Sequence, residues 1–388
     1  MKLAFSTHKI KLIYIIFIAY YFSLFMEDLA ISNTILISGI RYFAYFLLVL
    51  SIGKRAVSRK KLINFTVTLL ISALISIVTR DIYYGVILVL ILASNNIDDK
   101  RVMEYSYKVL CVLTLITIAL SLVGIIPLVV TNRILGNTGT RYGMGFYHSN
   151  VLPAIIFYLY SYRVMIEQEK IRIGEVAAWT ALSILIYKLC LSRNALFCCV
   201  LLTLFVLCSK SKRVKEKKPS KILYRSSFAI IIILPILLLI TMIFQGNNIL
   251  LLYNINKSLS GRLAIAYHQY EITGLKLINF MSKDSYQAVA RIIDSGYLYV
   301  ALRYGLLFLI FYVVIQYKYV KKYQFTRLAL CVILIVVLEN AIDNDLFSYG
   351  FLPYILIAFS KSKSLCKTSD MSVDAVFKKK QRTIFQNA

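Results

Sequence analysis

Runs of Ile, Leu and Val approaching 20 residues recur along this chain, and they limit its fold more than any other feature. One helical crossing of a hydrocarbon core ~30 Å thick needs about 20 mostly apolar residues. Backbone groups inside lipid must bond within their own segment, so such runs become helices. With 59% hydrophobic residues over 388 positions and a mean hydropathy of +0.73, a water-soluble domain could not hide them all. The expected fold is an all-α polytopic membrane protein.

About twelve spans are expected, at roughly 12–27, 34–52, 62–79, 82–93, 109–130, 150–166, 173–191, 195–208, 228–244, 295–316, 328–343 and 346–359. Residues 1–359 then form the transmembrane bundle, with one long outer loop at about 245–293, and 360–388 a basic cytoplasmic tail. Met1 to Lys11 is basic, and the apolar run after it lacks a small-residue cleavage site. It reads as the first span rather than a cleaved signal.

The net charge of +27 would suggest nucleic acid on a soluble domain. In a membrane protein it marks the loops that stay in the cytoplasm. With the N-terminus inside, those segments carry Lys54, Arg55 and Lys60; Lys100 and Arg101; Lys170 and Arg172; the run Lys210 to Arg225; and Lys318, Lys321 and Lys322. The tail adds Lys378, Lys379, Lys380 and Arg382, a lipid-hugging end, so both termini are expected in the cytoplasm. The seven cysteines sit in apolar runs or the tail, with no CxxC spacing, so neither a disulfide framework nor a metal site is expected. No P-loop or GxGxxG precedes a helix, which argues against an ATP-driven pump. Any chemistry belongs in the membrane or on its outer face.

Positive charges on the outer side run against topology. They are Arg80, Arg133, Arg141, Arg193, Lys257, Arg262, Lys276, Lys283 and Arg291, with Arg41, Lys188 and Arg303 inside spans. Eight of these twelve are arginines, whose planar fork grips phosphate bidentately where lysine is a point charge. Snorkelling to lipid headgroups is the plain alternative for any single one. Arg41 lies about eight residues into its span, or ~12 Å deep at the helical rise, and Arg303 at similar depth. Intramembrane charges normally face a partner or a water-filled cavity.

Three further stretches stand out. The loop from Arg133 through Arg141 to His148 and Asn150 has four glycines in ten residues, which are expected to prevent a regular element. In the long loop, Leu259, Leu263, Ala266, Tyr267, Tyr270, Gly274, Leu277 and Met281 share a ~100° stripe at helical spacing. Arg262, Gln269 and Lys276 line its edge, and His268 and Glu271 share another face. One amphipathic helix in the outer headgroup plane is expected there. On the eleventh span, Glu339 and Asp343 are four residues apart, with Asn340, Asn344 and Asp345 beside them. That cluster is read as counter-charge for Arg41 and Arg303, with a general base or a cation site as the other options.

With these loops, the chain resembles the Wzy-type polysaccharide repeat-unit polymerases, relatives of the O-antigen ligases. The topology of most of the chain carries the likeness, together with Gly145-Phe146-Tyr147-His148-Ser149-Asn150, Ser260-Gly261-Arg262, and Asp294-Ser295-Gly296-Tyr297 followed by Arg303-Tyr304-Gly305. Ser149 stands where relatives often have Pro. The resemblance implies a metal-independent, inverting glycosyltransferase of the bacterial cytoplasmic membrane, with no cofactor. Its substrate would be an undecaprenyl-diphosphate-linked oligosaccharide, and a flippase and a chain-length regulator are candidate partners. Arg262, Arg141 and Arg303, with Arg41 and Arg291, would hold the diphosphate. The base would be Asp294, His268 or Glu339, with Asp294 first. A lipid-linked oligosaccharide flippase and an O-antigen-type ligase are the competing readings.

Overall fold

A computed structural model describes residues 2–31, 34–53, 59–79, 82–95, 97–133, 139–210, 221–247, 249–258, 261–279, 293–323, 327–343, 348–362 and 364–366. Arg80, Lys283, Arg291, Asn344, Asp345 and the tail from 367 lie outside the described residues.

The helices are α1 (Lys2–Glu27), α2 (Thr34–Gly53), α3 (Arg59–Thr79), α4 (Ile82–Ser94), α5 (Asp99–Leu122), α6 (Val151–Glu167), α7 (Ile173–Cys190), α8 (Arg193–Lys210), α9 (Lys221–Ile243), α10 (Leu250–Ser258), α11 (Arg262–Thr273), α12 (Gly296–Arg303), α13 (Leu306–Lys322), α14 (Arg327–Ile342) and α15 (Leu352–Phe359). Between α5 and α6, β1 (Val130–Arg133) pairs antiparallel with β2 (Gly139–Tyr142), Thr131 facing Arg141. The described residues are therefore all-α apart from this ribbon and one isolated bridge, Leu29 to Phe146. The glycines expected to forbid regular structure admit a short strand pair, because Gly139 needs no side chain to join a ladder.

Among the described residues, five helices are long and apolar enough to cross a membrane: Ile35–Gly53, Asp99–Leu122, Ile173–Cys190, Arg193–Lys210 and Ile222–Asn247. Leu12–Glu27, Leu62–Val78 and Gly85–Ser94 are shorter apolar helices. Apolar side chains such as Ile35, Leu70, Ile77 and Ile222 point outward and stay exposed, the pattern of a lipid-facing belt.

The middle is filled from α6, α12, α14 and α15. Thirteen of the sixteen α14 residues are buried, which places it at the centre. The largest side chains below 2% exposure are all tyrosines, among them Tyr158, Tyr162, Tyr297, Tyr323 and Tyr354. A buried hydroxyl without a partner is costly, and these five are bonded. Ser161 and Tyr354 hydroxyls lie 2.7 Å apart, Gln316 donates to Tyr297 at 2.7 Å, and Tyr323 donates to Asp99 at 2.6 Å.

Two ends can be told apart by what joins the helices there. At the basic end, Lys322 Nζ lies 2.8 Å from Asp99, and Asp98 caps α5 at the Arg101 N–H (3.0 Å) while accepting from Ser362 and Ser364. Arg163 bonds Glu167 and Glu175 at that same end. The opposite end gathers the ribbon, α10, α11 and the mouths of α6, α8 and α12.

The span expected at 295–316 is two helices. Gly305, at φ +100°, separates α12 from α13, and the segment 276–279 binds the break. Leu306 N–H donates to Lys276 O (3.0 Å), Leu307 N–H to Leu277 O (3.1 Å) and Asn279 N–H to Tyr304 O (3.0 Å). The long-loop helix is likewise divided. Positive φ at Gly261 and Gly274 confines α11 to twelve residues, so the stripe from 259 to 281 is not one helix.

Candidate active site

Gly261 turns the chain so that Arg262 is the first residue of α11. Its guanidinium joins three elements. Nε lies 2.8 Å from Asp294, just before α12, and Nη2 lies 3.1 Å from Asp343, just after α14. Nη1 donates to the carbonyl of Ile342 at 2.7 Å, one of the unpaired acceptors at the C-terminal end of α14. A fourth element enters through Asn194 on α8, whose amide donates to Asp343 at 3.3 Å. The Arg262 and Asp343 side chains are 16% and 11% exposed, whereas Asp294 is 44% exposed. The cluster is thus closed below and open at Asp294.

Arg141, on β2, reaches the end of α7. It donates to the carbonyls of Cys190 (3.1 Å) and Leu191 (3.0 Å), where Leu191 takes the left-handed conformation that ends that helix. A cation there complements the helix dipole and fastens the ribbon. Cys190 Sγ adds a bond to Tyr142 O (3.2 Å).

His148 follows the ribbon. Its side chain is exposed to solvent, with protein packed around it. That surrounding desolvation lowers its pKa below the ordinary imidazole value. The charges acting on it are Asp294 and Asp343, which raise it, and Arg141 and Arg262, which lower it. The Asn150 N–H donates to Nδ1 at 3.1 Å, which assigns the neutral ring its proton on Nε2. His148 is therefore a neutral donor beside the Arg262 cluster.

The other sequence candidates fall elsewhere. Arg303 ends α12, donates to the Tyr299 hydroxyl, and stacks 4.3 Å above the Tyr304 ring. Arg41 pairs with Glu27 on α1 at 2.9 Å and reaches Ser23 O at 3.5 Å. Of the Glu339 cluster's expected counter-charge roles, Arg41 is instead paired with Glu27, and Asp343 pairs with Arg262; Asn344 and Asp345 lie outside the described residues. Glu339 is fully buried on α14 and accepts from the Tyr158 hydroxyl at 3.2 Å. His268 has a 77% exposed side chain 3.8 Å from Glu271, on the open face of α11. Arg291 lies outside the described residues. Sequence reasoning noticed His148 and Asp343 but assigned neither a place in the site, and it passed over Asn194. The signal for His148 was its position between a glycine-rich loop and a helix opened by Pro153.

No known protein family, curated protein or solved structure matches the chain. Among the described residues, no three or more His, Cys, Asp or Glu side chains are grouped as a metal would require. What the cluster offers is acid–base and anion chemistry. One guanidinium against two carboxylates leaves a formal charge of −1, so an anion arriving from the Asp294 side reaches the Nε and Nη2 donors only as a carboxylate takes up a proton or swings away.

Proposed function

We propose that this protein polymerises lipid-linked oligosaccharide repeat units at the outer face of a bacterial cytoplasmic membrane, by inverting glycosyl transfer. About twelve transmembrane helices would hold the Arg262 end outside and both termini inside. The observation that carries this is the convergence of Arg262, Asp294 and Asp343 at the end away from the basic loops, with His148 within their electrostatic reach.

In the reaction, the acceptor hydroxyl attacks the anomeric carbon of the growing chain. Its proton passes to Asp294, the exposed carboxylate that Arg262 orients. The bond from that carbon to the diphosphate breaks, and undecaprenyl diphosphate leaves with the charge. Arg262 shifts from its carboxylates to the departing anion, and His148 donates from Nε2. Arg141 and Arg303 are further anion-binding candidates, although each has neighbours of its own in the fold.

One observation favours a second reading. A helix broken at membrane depth, with Arg303 beside the break, is also how transporters build substrate sites. A lipid-linked oligosaccharide flippase is therefore the runner-up. A deletion strain separates the two. Single lipid-linked units exposed outside are expected for a polymerase, and units retained inside indicate a flippase. Long chains still on lipid indicate a ligase. Restoring the gene as Arg262→Ala should leave the single units in place, and polymer of normal length from that variant would refute the role of Arg262.

A further inference from the structure

A recess of about 170 Å³ opens between the end of α1 and the mouth of α6. Glu27, Asp28, Tyr147, Tyr158, Ser348 and Tyr349 line it. Its walls are fixed by main-chain bonds, Tyr147 N–H to Asp28 O at 3.0 Å and Ala30 N–H to Gly145 O at 2.9 Å. Arg41 holds Glu27 in place, and the Tyr158 hydroxyl is bonded to buried Glu339.

We infer that this recess binds the terminal, uncharged sugar of the acceptor repeat unit. The inference rests on the polymerase reading and assigns its acceptor subsite. Carboxylates are acceptors only, and hydroxyl donors bound to them make short, charge-assisted bonds. Tyrosine rings cover the C–H face of a pyranose, and Ser348 adds a further polar contact. On the polymerase reading the diphosphate is held at Arg262, which leaves this recess to an uncharged part of the substrate. The volume is below the ~300–1,000 Å³ of drug-sized sites, so it takes one ring and not a whole repeat unit. Tyr147 in the wall is followed by His148, their ring centroids 6.3 Å apart.

The test uses purified full-length protein in lipid nanodiscs. The probe is the repeat-unit oligosaccharide released by mild acid from the glycolipid of the deletion strain. Saturation-transfer NMR should place the strongest enhancement on the protons of one terminal sugar. Asp28→Asn removes an acceptor, and Ala154→Phe fills the recess from α6. Both variants, checked for folding by thermal melting, should weaken binding at least fivefold. An oligosaccharide that fails to bind wild-type protein, or binds both variants as it binds wild type, overturns the inference alone. Absence of any lipid-linked repeat unit from the deletion strain overturns the polymerase reading and this inference with it.

Discussion

Arg41 and Arg262 show how a guanidinium survives within a greasy bundle. Arg41 is 8% exposed and answered by Glu27, and Arg262 is answered by two carboxylates and a carbonyl. Replacing Arg41 by Leu leaves Glu27 without its cation, but that carboxylate is half exposed and can recover water. A loss of about 1–3 kcal/mol is expected, read as a lower thermal midpoint in detergent. An unchanged midpoint would show that the pair contributes nothing. His148 makes a pH prediction. Its folded pKa is lowered, so between that value and the ordinary ~6.5 the unfolded chain binds more protons. Stability from the neutral ring is complete above about pH 6.5 and is lost as pH falls through that window. The thermal midpoint of wild type should drop more from pH 7.5 to 5.5 than that of His148→Gln, and equal drops would contradict the assignment. Residue types were legible in the sequence, since arginines outside a membrane and carboxylates near a span end declare themselves. Their partners were not. Arg262 meets Ile342 80 positions away and Asn194 meets Asp343 149 positions away, distances that only packing decides.

Among the elements, α7 and α8 begin and end within two residues of their expected bounds, because hydrophobic run length sets both. The break between α12 and α13 was hidden, since apolar residues continue on both sides of Arg303 and Gly305 over the length of one span. A Cβ on Gly305 would lie 2.6 Å from Leu277 O and 2.8 Å from Ile278 Cα, and its φ of +100° disfavours any other residue. Gly305→Ala is therefore expected to cost at least ~1–3 kcal/mol from backbone strain, before the clash with Leu277 is added. The measurement is the fraction of protein that remains monodisperse after extraction. Recovery equal to wild type would mean that the break tolerates a side chain. The split of the long-loop helix has the same origin. Periodicity reports which face is apolar, whereas single positive φ values at Gly261 and Gly274 decide where a helix stops.

At the scale of the whole molecule, the chain separates an end tied by lysines and serines from an end tied by Arg262. That the chain is built of long apolar helices was legible in the sequence, because hydropathy depends on composition summed over long stretches. The tyrosine-rich interior and the recess were not foretold, since burial of a particular ring depends on which helices meet. Function depends on which end faces out. Single cysteines at His268, whose side chain is 77% exposed, and at Lys100, whose side chain is 49% exposed, can be placed in a cysteine-free background. In intact spheroplasts, a membrane-impermeant maleimide should label the cysteine at 268 and reach that at 100 only after permeabilisation. Labelling at 100 with protection at 268 would turn the Arg262 cluster toward the cytoplasm and contradict an outer-face polymerase.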